Sequence, residues 1–285
     1  MLLPPLIRTL LLGLLTGLLC GCGHLFYLPE PGLRGTPDQL GMPYADVHLH
    51  AADGARLHGW WLPARLGDGE HSKGVIYFLH GNAENISTHF AAMSWITFSG
   101  WDLFILDYRG FGLSQGSPNI PSVYLDAEAG LKWATHQAQS RQLPLVVLGQ
   151  SLGGAVAATL VAQSPPDQVS ALILDSAFSS YRRIAREILA QPWLTTLFRY
   201  PLAWTIRDDY SPEHFLAQRP PMPLLVMHGC ADRVVPCSHG KRLYRLAGEP
   251  AWLWLSPDAR HQEMLASRHW RTQLLEWLEG QVLTH

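Results

Sequence analysis

The chain has 285 residues, 47% hydrophobic and only 15% charged, with 21 Lys+Arg against 23 Asp+Glu and a formal net charge of −2. That length accommodates one large α/β domain or two smaller ones, and so apolar a chain is not disordered. The near-neutral balance, without any Lys/Arg-rich run, argues against nucleic acid as a partner.

In chain order, the first element is an address. Arg8 precedes an apolar stretch over 10–19, and Leu19-Cys20-Gly21-Cys22 follows it. A run of that length suits a signal-peptide core and is short for a membrane span of about 20 residues. The cysteine after small Gly21 resembles a lipobox, which makes Cys22 the lipidation candidate. An uncleaved N-terminal anchor and an ordinary cleaved signal are the alternatives. Residues 1–22 are therefore set apart from a catalytic body over 23–285, attached to the membrane at the cell envelope. Cys20-x-Cys22-x-His24 is better explained by processing than by a metal.

From about residue 45, strand-like and helix-like segments alternate. Runs at 47–50 and 57–62, separated by Ala52-Asp53-Gly54, read as a hairpin. Continuous apolar runs follow at 75–79, 103–106, 145–148, 171–174, 224–227 and 252–255, as expected of strands buried on both faces. Helices are predicted over 84–98, 121–139, 152–163, 238–247 and 262–280. The alternation implies a doubly wound, mostly parallel α/β sheet with an antiparallel hairpin at its edge. The interval 176–220 breaks the rhythm. It carries Trp193, Leu194, Leu197, Phe198, Tyr200 and Trp204 and reads as a small helical insertion placed as a lid over the strand C-termini.

The chemistry concentrates at Gly149-Gln150-Ser151-Leu152-Gly153. A predicted strand runs into it and a predicted helix leaves it, the context of a nucleophile elbow. A serine needs a base, and His261, in the loop between the last strand and last helix, is the one of 14 histidines in the right place. The imidazole needs an orienting carboxylate, which Asp232 supplies directly after the strand 224–227; Asp175 is the competing acid. Two backbone donors must hold the oxyanion: Leu152 N–H, and Asn82 N–H with Ala83 next in order. Asn82 is also a possible cap for the helix that follows. Cys230 and Cys237 flank the acid loop and are either a disulfide or two unpaired thiols.

Together, H-G-N-A-E-N at 80–85, D-Y-R-G-F-G-L-S-Q-G at 107–116, G-Q-S-L-G-G at 149–154 and H-G-C-A-D-R-V-V-P at 228–236 resemble the α/β-hydrolase superfamily of serine hydrolases. Within it they are similar to small membrane-associated bacterial hydrolases related to the eukaryotic Bem46 type. The resemblance covers about 45–280. It implies the α/β-hydrolase fold, a Ser151–His261–Asp232 triad and an oxyanion hole near Asn82 and Leu152. It does not choose among esterases, thioesterases and peptidases.

Other features are set aside. His48-x-His50 with His58 has no carboxylate or cysteine beside it and reads as exposed strand histidines rather than a zinc site. Arg109 reads as a structural ion pair rather than a substrate clamp. The G-x-G-x-x-G near-match at 110–116 lacks a following helix and reads as a turn. The expectation is an acyl hydrolase acting on an ester or thioester of a small-molecule or lipid-like substrate, without cofactor or metal. The rivals are a serine peptidase, in which Arg109 or the acids at 208–209 would hold a peptide terminus, and a catalytically silent envelope scaffold.

Overall fold

The computed structural model describes residues 26–67, 69–190 and 199–284. Its frame is one eight-stranded sheet. The strands are β1 (Ala45–His50), β2 (Arg56–Leu62), β3 (Gly74–Leu79), β4 (Trp101–Leu106), β5 (Leu145–Gln150), β6 (Ala171–Asp175), β7 (Leu224–Gly229) and β8 (Ala251–Ser256). Their spatial order is β1-β2-β4-β3-β5-β6-β7-β8. Every neighbouring pair is parallel except β1–β2 and β2–β4, so β2 alone runs against the rest. The hairpin at the sheet edge and the parallel body both match the sequence expectation.

The continuous apolar runs have a simple physical reading. In β3, Val75, Tyr77 and Leu79 face one hydrophobic layer, while Ile76 and Phe78 face the other. Alternate residues point to opposite faces, so a strand covered on both sides must be apolar throughout. One face is covered by α2 (Ile120–Ser140) and α3 (Leu152–Ala162), the other by α1 (Ile86–Met93) and the last helix (Arg268–Val282). Asn119 and Ser122 form a reciprocal capping box that starts α2 after the loop from β4.

Between β6 and β7 lies the insertion, with α4 (Tyr181–Ala190), α5 (Arg199–Trp204) and two short 3₁₀ turns. Trp193, Leu194, Leu197 and Phe198 lie outside the described residues. The insertion is tied to the body at several points. Tyr124 on α2 donates to the Tyr210 carbonyl at 2.9 Å, and Thr159 on α3 donates to the same carbonyl at 2.9 Å. Glu187 on α4 meets His239 on α6 (Ser238–Ala247) at 2.8 Å. The last helix, Arg268–Val282, is α7 in this numbering.

Three boundaries differ from expectation. The segment expected to be helical over 84–98 divides into α1 and a 3₁₀ stretch at Ser94–Ser99, ended by Gly100 at φ 90°. The helix expected at 262 starts at Arg268, preceded by a 3₁₀ turn at Met264–Ala266. Asn85, not Asn82, caps α1, accepting from Ser87 N–H at 2.9 Å. That arrangement leaves Asn82 in the loop before the helix.

Candidate active site

The site forms at the C-terminal ends of the parallel strands, where α/β sheets present their loops. At the end of β5 the chain turns into α3 through Ser151, whose backbone sits at φ 54°, ψ −114°. A left-handed serine is strained, and the surrounding glycines make the turn feasible. A Cβ on Gly153 would collide with the carbonyl oxygen of Leu79, and one on Gly154 would stand 2.5 Å from Ala177 Cβ. The helix therefore packs against β3 and the residues after β6 so closely that only glycine fits. Strain is concentrated in this region. Of the six non-glycine residues at positive φ among those described, Ser151, Ser176 and Gln262 lie in turns around the site, and Glu84 in the short strand beside it.

His261 Nε2 lies 3.0 Å from Ser151 Oγ, and its Nδ1 lies 2.6 Å from Asp232 Oδ2. Because Nδ1 faces a carboxylate, that nitrogen carries the proton, which leaves Nε2 free to accept from the serine hydroxyl. The other carboxylate oxygen of Asp232 accepts from Val234 N–H at 2.7 Å and Val235 N–H at 2.9 Å. Burial pushes the Asp232 carboxyl up. The bond from His261, its charge and the two N–H donors outweigh burial and hold the group below the ordinary carboxylate range. The acid and histidine loops are locked together, since Ala231 N–H donates to Ala259 O at 3.1 Å and a Cβ on Gly229 would collide with that carbonyl. Cys230 and Cys237 are joined in a disulfide with a Cα–Cα distance of 4.9 Å, closing a ring around Asp232.

Asp175 is otherwise engaged. Its carboxylate accepts from Gln150 Nε2 at 2.9 Å and from Ser176 Oγ at 3.0 Å. Burial pushes its pKa up, against the pull of those two donors. Ser176 Oγ in turn accepts from Gln262 N–H at 3.1 Å, which braces the residue after His261.

Leu152 opens α3, so its N–H is a first-turn donor without a partner inside the helix. Opposite it, the loop 80–83 approaches Ser151: a Cβ on Gly81 would lie 4.0 Å from Ser151 Cβ. The loop is braced from below by His80, which is fully buried, with its ring centroid 4.5 Å from that of Tyr108 and 5.1 Å from that of His89. Burial holds the His80 imidazole neutral, well below its ordinary pKa.

The sequence reading missed a brace on this loop. Phe26 to Gly32 lies within the expected body 23–285, but no element was expected there. Leu28–Pro29 pairs in parallel with Ala83–Glu84, and Leu28 N–H donates to Asn82 O at 2.7 Å. Asn85 Nδ2 donates to the carbonyls of Glu30 at 3.0 Å and Gly32 at 2.7 Å, and Gly112 N–H donates to Glu30 O at 2.9 Å. Phe26 packs edge-on against Tyr181 at 5.2 Å. The signal was present in Pro29, Glu30, Pro31 and Gly32, which break the apolar run before the first expected strand. Cys22 lies outside the described residues.

Arg109 is saturated. Its guanidinium forms a bidentate pair with the Asp53 carboxylate, at 2.7 and 3.0 Å, and bonds Asp126 at 2.7 Å. That is the structural ion pair expected. The three strand histidines correct an expectation: His48 and His50 are exposed, but His58 is buried and its Nε2 meets Asp46 Oδ1 at 2.7 Å. The carboxylate sits two residues before His48 on β1, and antiparallel pairing carries it next to His58. Among the described residues, only Asp208, Glu213 and His214 bring three metal-type ligands together. These carboxylates are already bonded, Asp208 to two serines and Glu213 to Arg242 at 2.7 Å.

The sequence and the fold point the same way when compared with known proteins. A family model described as Hydrolase_4, serine aminopeptidase S33, matches residues 70–213. The chain belongs to this α/β-hydrolase family. It is 33% identical to YfhR of Escherichia coli K12 over 258 residues, covering 90% of this chain and 86% of that protein. Bem46 of Schizosaccharomyces pombe is 28% identical over 218 residues, 75% of this chain and 69% of that one. The esterase Pf2001 of Pyrococcus furiosus superposes with a TM-score of 0.71 at 20% identity, over 90% of this chain and 99% of the esterase. This last likeness concerns the fold. It shows the α/β-hydrolase architecture alone, and the bond cleaved is a separate question. Among the described residues no helix is long and apolar enough to cross a membrane.

Proposed function

We propose that this hydrolase is a serine acyl hydrolase that cleaves a carboxylic ester or thioester through an acyl-enzyme, and that residues 1–22 hold it at the membrane of the cell envelope, with Cys22 as the lipidated residue. The observation carrying the chemistry is the continuous relay from Ser151 Oγ to His261 at 3.0 Å and on to Asp232 at 2.6 Å. His261 Nε2 takes the serine proton as Oγ attacks the acyl carbon. The new oxyanion lies between the N–H groups of Leu152 and Asn82. His261 then returns the proton to the leaving alcohol or thiol. Water, deprotonated by the same nitrogen, cleaves the acyl-enzyme and releases the acid and free Ser151. Asp232 keeps the imidazole in the useful tautomer and stabilises its charged form.

Two observations favour an ester or thioester over a peptide. Arg109 is bound on both sides by carboxylates, and Asp209 is paired with Arg207, so the groups that could have held a peptide terminus are occupied. The insertion presents the exposed apolar side chains of Ile188 and Tyr200, and these are proposed as a roof for the acyl chain. A scaffold role would leave the aligned relay and the strained serine without purpose.

A fluorophosphonate probe tests the chemistry, and a chain-length series of aryl esters set against aminoacyl amides tests the bond. Labelling is expected, abolished in Ser151→Ala, with esters turned over faster than amides. Labelling that persists in Ser151→Ala would refute the nucleophile assignment, and preferential amide turnover would refute the bond assignment.

A further inference from the structure

The large apolar side chains left in solvent are unevenly placed. Six of them, Leu28, Leu113, Ile188, Tyr200, Trp204 and Val234, stand on the segment paired beside the oxyanion loop, on loops that follow strand C-termini, or on the insertion between β6 and β7. The other four exposed large apolar residues described lie at the opposite end, Leu40 among them on the 3₁₀ turn leading into β1. Leu66 and Phe98 sit in the segments leading into β3 and β4, and Leu283 follows α7. Leu28 and Leu113 flank the oxyanion loop, since Gly112 bonds both Glu30 and Gly32. Val234 lies in the acid loop, two residues past Asp232. Trp204 is 74% exposed, an unusual state for so large a ring on a soluble surface.

The insertion also carries guanidinium groups. Arg183, Arg186 and Arg199 line one depression on the insertion. The only carboxylate among its lining residues, Glu187, is turned to His239. Arg199 stacks over Tyr200 at 4.9 Å. Aromatic and aliphatic side chains beside guanidinium groups are the composition of a surface seated at a lipid interface, with cations meeting anionic headgroups.

The occupant is indicated by the chain itself. Phe26 packs against Tyr181 at the catalytic mouth, and the apolar address begins immediately upstream. Four residues from Phe26 back to Cys22 span at most about 14 Å. A membrane attachment through that segment cannot place the mouth far from the bilayer.

We infer that the catalytic end of the domain docks on an anionic lipid bilayer through this apolar and cationic rim, so that the enzyme takes acyl esters directly from the membrane that anchors it. This rests on the acyl-hydrolase reading. Membrane-resident substrates then enter without crossing water, and the rim sets the preference for long acyl chains.

The test uses the full chain reconstituted in vesicles of phosphatidylcholine and phosphatidylglycerol containing a fluorogenic long-chain acyl-ester lipid, with a water-soluble butyrate ester assayed in parallel. The double variant Leu113→Ser/Trp204→Ser is expected to lose at least tenfold on the vesicle substrate while keeping the soluble rate within twofold. The opposite-end control Leu66→Ser/Phe98→Ser is expected to keep both. Parallel loss of both rates in the rim variant, equal loss in the control, or a wild type that hydrolyses the soluble ester and ignores the vesicle ester would overturn the docking inference. A wild type inert toward both esters would instead remove the hydrolase reading on which it stands.

Discussion

Replacing Asp232 with Asn probes the relay at its most informative atom. The side-chain Oδ1 accepts from two fixed amides, Val234 N–H and Val235 N–H, while Oδ2 accepts from His261 Nδ1. In Asp232→Asn the two amides retain the carbonyl oxygen, because turning the amide would point its NH₂ at two donors. The NH₂ group then faces His261 Nδ1. A donor there demands an unprotonated Nδ1, so the proton moves to Nε2, the atom that must accept from Ser151 Oγ. The geometry survives and the base is lost. An analogous carboxylate-to-amide change in a serine-protease triad lowers kcat ~10⁴-fold, about 5 kcal/mol of transition-state stabilisation. Steady-state kinetics with a soluble aryl ester are expected to show that fall in kcat with little change in KM and with the thermal midpoint nearly unchanged. Retention of more than about a tenth of kcat, or a loss confined to KM, would refute both the tautomer assignment and the choice of Asp232 over Asp175.

Arg109→Met strands the fully buried Asp126 without its guanidinium. Breaking a buried pair in this way costs about 3–5 kcal/mol, and a drop of roughly 10 °C in Tm is expected by calorimetry, with the ester-to-amide rate ratio unaltered. An altered ratio would restore Arg109 as a substrate clamp. Asp208 links the ends of the insertion, accepting from Ser180 Oγ at 2.8 Å and Arg182 N–H at 3.0 Å. Burial raises its pKa, but the bonds from Ser211, Arg182 and Ser180 outweigh that and depress it. A depressed carboxylate contributes fully above its unfolded value near about 3.9 and loses the contribution as pH falls through the lower folded value. Hydrogen exchange is therefore expected to show amides around 181–184 losing protection below about pH 4 while β5 stays protected. Asp208→Asn is expected to abolish that dependence, and a persisting one would assign it elsewhere.

The sheet was legible because its strands are buried on both faces, which writes unbroken apolar runs into the sequence. The three side chains of the candidate triad were legible because each follows such a run: Ser151 after β5, Asp232 after β7, His261 after β8. Local signals failed where tertiary pairing decides. His58 reads as one of three exposed histidines until antiparallel pairing brings it to Asp46. The N-terminal brace was not foreseen because its two-residue strand has no periodicity; it is held by Asn82 and Asn85, more than fifty positions away. The insertion was visible as an anomalous interval, but its ties to α2, α3 and α6 run through backbone carbonyls and one histidine that no spacing encodes.

The elbow at Ser151 has a consequence for the chain before it is finished. Its left-handed backbone sits in close packing against β3 and the loop after β6, and the histidine that bonds its hydroxyl lies 110 positions downstream. None of these is a neighbour in sequence, and such distant contacts close late in folding. A nascent, misfolded or clipped chain therefore carries only an ordinary serine, without base, oxyanion donors or strain. Under the proposed mechanism reactivity comes only with the completed topology, so an unfinished chain is no hazard to the cell that makes it.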